Sequence, residues 1–422
     1  MTFTIGRSVP AATGTVLNRR QALAAGTGLA FAGAGLLTPA AMARQGHAPS
    51  QATPEASDTP TPANDTPLTT LLRMVPHSLV MNGQGGPYWS YCDFARQYAA
   101  LDMDRDGAGP DLREIPIPTA TIALMPGSNA YSYSFVEDFT SSIGFQPLLM
   151  GQHLMIGDPP EQITMFKGEF DPRALVAAWK ETGYQPVETS SGIEAWSIGP
   201  DGEFAVDHLV QRFVIAAMNN VAIVDDVLIY ANTLDLLNVV LDHIAGGGAT
   251  SLDDEVWGPV IQSLPETVVS AMAVTPEMDW MWPNLDLERL EAIQSEMDAV
   301  REAVGPMPDV NAMIVAVEEG AVHVDFEWEG LPAPVDAGTM FVRLGTQSAE
   351  DAEQAARVVV ARSESLSSLG SGEPYSELIV AEREAAEGTT AAIDFTQLES
   401  PRVWSNLVLM RDVLLFAPDS SL

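Results

Sequence analysis

Cysteine, lysine and histidine are scarce in this chain of 422 residues, and each scarcity narrows its possible chemistry. Cys92 is the only cysteine, which excludes an intramolecular disulfide, a CxxC redox pair and a cysteine zinc site. Lys167 and Lys180 are the only lysines among the 20 basic residues, against 57 acidic residues. The formal net charge of −37 repels nucleic-acid phosphates, so we predict no nucleic-acid partner.

Sequence motifs of common enzyme classes are also missing. The chain has no GxSxG elbow, no HExxH zinc motif, no Walker lysine loop and no GxGxxG turn after a strand. Its six histidines are scattered, and the apolar, aromatic surroundings of Cys92 indicate a buried structural thiol. Carboxylates are so numerous that no pair stands out as catalytic. These absences favour a non-catalytic protein.

The first 43 residues have the features of an export signal. Residues 1–20 carry three arginines and no acid, and the uncharged run 21–43 ends in Ala41-Met42-Ala43, a cleavage site of the AxA type. The pair Arg19-Arg20, followed by Leu23, resembles a twin-arginine export signal, although Ala24 replaces its usual lysine. That resemblance implies export of an already folded protein. Cleavage after residue 43 removes three positive charges and leaves a net charge of −40.

An uncleaved anchor is the alternative for this N-terminal region. Residues 21–43 are 23 residues long, which is enough to cross a bilayer, and we predict no membrane span in the mature form unless they are retained. Residues 44–67 follow with five prolines among Thr, Ser and Ala, a composition that predicts a disordered spacer. We therefore place the protein in the periplasm, on the cell surface or outside the cell.

Capping residues and apolar periodicity predict five helices in the body. They are 172–182 after Asp171, 234–246 after Thr233, 252–264 after Ser251, 285–304, and 349–365 after Ser348. Apolar runs predict strands at 163–166, 213–218, 226–231, 311–317, 321–328, 339–344 and 412–417. The aromatic segment 88–100 is predicted to be a further helix.

Two short matches indicate an internal duplication. Thr164-Met165-Phe166 recurs as Thr339-Met340-Phe341, and DVLIYA at 226–231 recurs as DVLLFA at 412–417. We predict an α+β fold of two related units, each a sheet with helices on one face. The units span residues 68–231 and 306–422, and a helical insert at 232–305 separates them. A ligand or partner is expected to bind in the cleft between the units.

One acidic loop is a candidate calcium site, the only cofactor that the sequence suggests. Asp102, Asp104 and Asp106 place alternate carboxylates before a glycine, an arrangement that suits Ca²⁺. The run resembles the start of an EF-hand-type calcium loop, but Arg113 occupies its twelfth position and Glu114 comes one place late. The alternative is an acidic turn that binds no metal.

Two tryptophans form a candidate partner-binding face. Trp280 and Trp282 precede the helix predicted at 285–304 and have methionines nearby, so they offer an adaptable apolar surface. Alternatively, they tuck their loop beneath that helix. We predict an exported, non-catalytic cell-envelope or extracellular protein that binds a ligand or protein partner. The alternative function is an exported hydrolase whose site the sequence does not reveal.

Overall fold

The computed structural model describes residues 65–81, 89–100, 137–157, 162–274 apart from 202, 204, 206 and 215, then 287–318, 338–369, 372–398 and 414–416. The α-helices of these ranges are α1 (Pro67–Leu72), α2 (His77–Met81), α3 (Phe94–Ala100), α4 (Glu137–Ile143), α5 (Pro172–Thr182), α6 (Gln211–Val214), α7 (Leu234–Gly246), α8 (Trp257–Gln262), α9 (Leu287–Val304), α10 (Ala349–Ser365) and α11 (Tyr375–Leu378). The strands are β1 (Trp89–Asp93), β2 (Gln152–Ile156), β3 (Ile163–Lys167), β4 (Gln185–Val187), β5 (Ala195–Ser197), β6 (Asn220–Val224), β7 (Val227–Ala231), β8 (Val268–Val274), β9 (Ala312–Glu318), β10 (Thr339–Gly345), β11 (Ile379–Glu387) and β12 (Thr390–Gln397).

The described strands form one antiparallel sheet in the order β11-β12-β10-β9-β8-β1-β2-β3-β7-β6-β5-β4. Each neighbouring pair in this order runs antiparallel. The α+β class is therefore confirmed. The pairing of β1 with β8 joins the strands of the first half of the chain to those of the second half.

The strand order is the same on both sides of the β1–β8 pair. Moving outward, one side reads β1, β2, β3, β7, β6, and the other reads β8, β9, β10, β12, β11. On each side, the third strand is followed along the chain by a long helix, α5 or α10. Later along the chain comes an antiparallel strand pair, β6 with β7 in one half and β11 with β12 in the other. The second strand of each pair lies beside the third strand of its half, β3 or β10.

Helices cover both faces of the sheet, so the expectation of one covered face was wrong. On one face, α1, α7 and α8 pack with strand residues into a single apolar cluster that extends across both halves. On the other face, α4 and α5 enclose one cluster, and α9 and α10 enclose another. The reason is that strands such as β3 are apolar on both sides: Met165 belongs to the first face and Phe166 to the second.

Three helix caps predicted from the sequence are confirmed. Asp171 accepts from the backbone N–H of Arg173 at 2.9 Å, and Thr233 accepts from that of Leu236 at 3.2 Å. Ser348 caps α10 through the N–H of Asp351 at 3.1 Å. Each side-chain oxygen satisfies a backbone donor that the first turn leaves unpaired, which fixes where the helix begins.

The helix predicted at 252–264 is shorter than expected. Thr250 and Asp253, rather than Ser251 and Asp254, form the capping box, and it encloses a single 3₁₀ turn. The Asp254 carboxylate then accepts from the N–H of Trp257 at 2.8 Å, at the start of α8. Because this second side-chain acceptor interrupts the chain, the segment splits into two short elements.

Four other segments differ from their predicted structure. Within 213–218 the described residues form the end of α6 and turns, and Leu414–Phe416 form a turn rather than a strand. Within 88–100, residues 89–93 are the strand β1, because they pair with both β2 and β8. The segment 232–305 contains the strand β8 besides its helices. Short apolar runs suit a buried strand and a buried helix equally, so their period does not decide between them.

The two matches that suggested a duplication do not occupy equivalent positions. Phe166 faces α5, whereas its counterpart Phe341 lies on the sheet face opposite α10. In the second half it is Met340 that faces α10, so the matched letters are out of phase by one residue. In the second match, the first copy contains the strand β7, whereas residues 414–416 of the second copy form a turn.

Substitution of Gly258 tests the packing between α8 and the 3₁₀ turn before it, and substitution of Gly246 in α7 is the control. A Cβ on Gly258 would lie 2.5 Å from the carbonyl oxygen of Leu252, whereas a Cβ on Gly246 would meet no heavy atom within 4 Å. We expect Gly258→Ala to lower the free energy of unfolding by about 2–3 kcal/mol, because backbone must move. Gly246→Ala should be neutral or raise it by up to about 1 kcal/mol. Urea denaturation measures both, and equal effects would contradict the packing described.

Candidate functional site

The residues predicted to form sites lie outside the described part of the chain. Asp102, Asp104 and Asp106 belong to the stretch 101–136, and Trp280 and Trp282 belong to 275–286. The calcium site and the tryptophan contact face therefore stay predictions.

Three polar side chains lie side by side at the centre of the sheet. Cys92 on β1 is the cross-strand partner of His153 on β2 and of Ser270 on β8. All three are at most 1% exposed. The Ser270 hydroxyl donates to the carbonyl oxygen of Tyr91 at 3.1 Å, and the Gln97 amide donates to the sulfur of Cys92 at 3.6 Å. We call Cys92, His153 and Ser270 the central polar row.

Burial keeps the two titratable groups of the central polar row neutral. Desolvation lowers the pKa of His153 to about 3, and it raises the pKa of the Cys92 thiol well above its usual value. The nearby carboxylate of Asp93 raises the Cys92 pKa further. Nucleophilic attack requires a thiolate, so this environment disfavours catalysis by Cys92. The prediction that Cys92 is buried is confirmed.

The burial of Cys92 makes its reactivity a direct test of the fold. We expect the native thiol to react with an aromatic disulfide reagent at least about 1,000-fold more slowly than the unfolded thiol, because β1 must open first. The absorbance of the released thiolate measures both rates, in buffer and in denaturant. Similar rates in the two conditions would show that β1 is not the central strand described.

Asp93 is a buried carboxylate, but local hydrogen bonds occupy it. Its oxygens accept from the Tyr91 hydroxyl at 3.2 Å, the Gln152 amide at 3.4 Å and the backbone N–H of Arg96 at 2.9 Å. The bond to Arg96 caps the start of α3. Burial, aided by Asp93, raises the pKa of Tyr91 well above its usual value. Asp93 therefore orders the junction between β1 and α3.

A small cleft lies beside the junction of β1 and β8. Its lining includes Thr66, Tyr91, Leu264, Glu266 and Val268, and its volume is about 20 Å³. That volume holds roughly one water molecule, whereas pockets for small-molecule ligands measure about 300–1,000 Å³.

In the ranges that the structure describes, no group of three or more His, Cys, Asp or Glu side chains could hold a metal ion. Nor is any helix in those ranges both long and apolar enough to cross a bilayer.

The two edges of the sheet differ in their capacity to accept another strand. The edge strand β4 has three residues, and its central Pro186 has no N–H to donate. The opposite edge strand β11 has nine residues without proline, and in the described part of the chain it pairs only with β12. Its outer N–H and C=O groups form a main-chain edge of the kind that binds extended peptides. We call Ile379–Glu387 the open edge.

Acidic side chains surround the open edge. Glu382, Glu384 and Glu387 are exposed, and Arg383 is the only base within the strand. Arg383 is already paired with Glu387, and its Nη1 lies 3.6 Å from an oxygen of Asp394 on β12. The positive charge is thus neutralised locally, which leaves the edge with a negative potential.

A β-bulge divides the open edge into two parts. Ala381 lies opposite Phe395 and Arg383 lies opposite Asp394, so Glu382 is an extra residue in the strand. Bulges distort the adjacent pairing and protect edges from uncontrolled association. Only residues 383–387 continue in regular register beyond the bulge.

The sequence reasoning did not identify the open edge. The segment AEREAAE at 381–387 has a composition typical of helices, because Ala, Glu and Arg have high helix propensity. Pairing with the apolar strand β12 overrides that preference. The turn at Gly388, which has a φ of 60°, is the one local signal of a hairpin.

Comparisons with known proteins add little. No family model matches the chain, and no curated protein matches it. The chain is similar to the solved structure of crystal form I of TP0453, with a TM-score of 0.31 and 8% sequence identity over 79% of this chain and 96% of that one. A likeness this weak carries no argument about fold or function.

Proposed function

We propose that the protein is exported and binds a protein partner through the open edge without catalysing a reaction. The observation that carries this proposal is the outer edge of the nine-residue strand β11, which pairs with no described strand other than β12 and contrasts with the short, proline-blocked edge of β4. The cleft beside β1 and β8 is itself too small to enclose a small-molecule ligand.

The proposed location rests on the N-terminal sequence. Its paired arginines, uncharged Ala/Gly run and Ala41-Met42-Ala43 site favour export and cleavage after Ala43. Trp280 and Trp282 remain a second candidate contact face, and Asp102, Asp104 and Asp106 a candidate calcium site.

We also infer that the two halves arose by duplication. The matching strand order on either side of the β1–β8 pair supports this inference. The two short sequence matches do not support a duplication, because their residues occupy positions that are not structurally equivalent.

Cell fractionation and an enzyme screen test the proposed function. In its native host, we expect the chain outside the cytoplasm with an N-terminus at Arg44, as read by intact mass. The purified chain should not hydrolyse a panel of chromogenic esters, phosphates and glycosides. Turnover of any of these above the level of a heat-denatured control would favour the hydrolase alternative. A cytoplasmic chain that begins at Met1 would remove the export proposal.

A further inference from the structure

We propose that the partner of the open edge is a basic extended segment, which adds as a further strand along residues 383–387. This inference rests on the proposed function and names the chemistry of the partner. A peptide that adds to a sheet edge gains affinity from main-chain hydrogen bonds and specificity from alternate side chains.

The length of the docking segment follows from the bulge. Regular pairing between β11 and β12 runs from Arg383 to Glu387, and the extra residue Glu382 interrupts the register on one side. On the other side, the chain turns at Gly388 into β12. The partner therefore pairs over about five residues, roughly 17 Å of strand.

Charge selects a basic partner. The exposed carboxylates of Glu382 and Glu384 have no basic partner among the ion pairs of the described residues. A lysine or arginine on an added strand would lie beside Glu384 within the docking segment, with Glu382 in the bulge next to it, and opposite charges on neighbouring strands stabilise pairing. A second copy of this chain fits less well, because two acidic edges and two chains of charge −37 repel each other.

Small side chains leave room for those of the partner. Ala385 and Ala386 occupy the middle of the docking segment and are only partly exposed. Ala386 packs against the apolar cluster beneath α10, which holds this part of β11 in place. The edge is therefore supported from below, and no described strand lies along its outer side.

Binding of a synthetic peptide tests this proposal. The probe is a fluorescein-labelled nonapeptide that alternates lysine with valine, titrated with the full chain and followed by anisotropy. Its counterpart carries N-methyl groups on alternate amides, which keep the charge but remove main-chain donors. We expect the N-methylated peptide to bind at least about tenfold more weakly. Amide exchange should slow at residues 383–387 when the unmethylated peptide binds.

Two matched double variants determine whether peptide binding depends on the acidic residues of the open edge or on the overall negative charge of the protein. Glu382→Gln with Glu384→Gln should weaken binding at least about threefold, whereas Glu350→Gln with Glu353→Gln on the exposed face of α10 should change it less than about twofold. Equal binding of the two peptides, or equal effects of the two double variants, would overturn the proposal. Self-association that protects residues 383–387 would identify a second copy as the occupant and would also overturn it. A partner of different chemistry that binds the open edge of the exported chain after such a result would leave the proposed function standing.

Discussion

Replacing Asp394 by alanine should lower the free energy of unfolding by about 3–5 kcal/mol, because it leaves a buried arginine without its counter-ion. The Arg343 side chain is 0% exposed, and its Nη1 donates to an oxygen of Asp394 at 2.7 Å. The same Nη1 donates to the carbonyl oxygen of Ile393 at 3.2 Å, and the guanidinium lies 5.4 Å from the ring centre of Phe341. Burial lowers the pKa of Arg343, and Asp394 opposes that effect.

Two further variants determine whether the lost counter-ion is the cause. Arg343→Met combined with Asp394→Ala removes both charges, and it should recover most of the stability lost in the single variant. Asp298→Ala removes an exposed partner of Arg301, and it should cost less than about 0.5 kcal/mol. Urea denaturation of the four proteins measures these differences. A double variant as unstable as Asp394→Ala would refute the uncompensated charge as the cause.

Acid should destabilise the protein through His153. The folded protein holds this side chain at a pKa of about 3, against an ordinary value of 6.5, because burial disfavours its charged form. Below pH 6.5 the unfolded chain binds the proton and the folded chain does not. The stability that neutral His153 provides is therefore fully present above pH 6.5 and is lost as the pH falls. At pH 5 the free energy of unfolding is lower by about 2 kcal/mol for this reason.

Comparison with His153→Leu isolates this effect. Leucine preserves an apolar contact with Phe166, whose ring centre lies 4.9 Å from that of His153, and it does not titrate. Between pH 7.5 and pH 5, the unfolding free energy of the original chain should fall by about 2 kcal/mol more than that of the variant. The other histidines are common to both proteins, so their effects cancel. Parallel pH profiles would show that His153 is accessible to protons in the folded state.

The sequence was most informative where local chemistry determines local structure. The caps at Asp171, Thr233 and Ser348 marked the starts of three helices, because a side-chain oxygen satisfies donors of the first turn. The helix α9 was visible from its apolar spacing, and Ile293 and Met297 are buried as that spacing required. These signals do not depend on distant parts of the chain.

Long-range pairing was the part that the sequence could not reveal. The residues Trp89–Asp93 become a strand because β2 and β8, from distant parts of the chain, pair with both of their edges. The Ala/Glu-rich segment 381–387 becomes an edge strand for a similar reason. Intrinsic preferences amount to less than about 1 kcal/mol per residue, so a paired, buried neighbour overrides them.

The candidate site likewise has features that the local sequence predicts and features that depend on long-range strand pairing. The burial of Cys92 was predictable from its apolar surroundings, whereas its position between His153 and Ser270 depends on strand register. The open edge was not predictable, because the place of a strand in its sheet depends on how distant parts of the chain pair. The net charge of −37 is readable from the sequence, whereas the edge at which we propose that a basic partner binds depends on the pairing of β11 with β12.

Cross-linking at the open edge in the native host tests most directly whether the protein is exported and works by binding there. A photoreactive amino acid replaces Ala385, and the intact mass of the cross-linked species is measured in the exported fraction. We expect a chain that begins at Arg44 joined to a basic partner, and no such species when the photoreactive group replaces Glu353 on α10. A chain that begins at Met1 in the cytoplasm, or equal cross-linking from both positions, would contradict the proposed function.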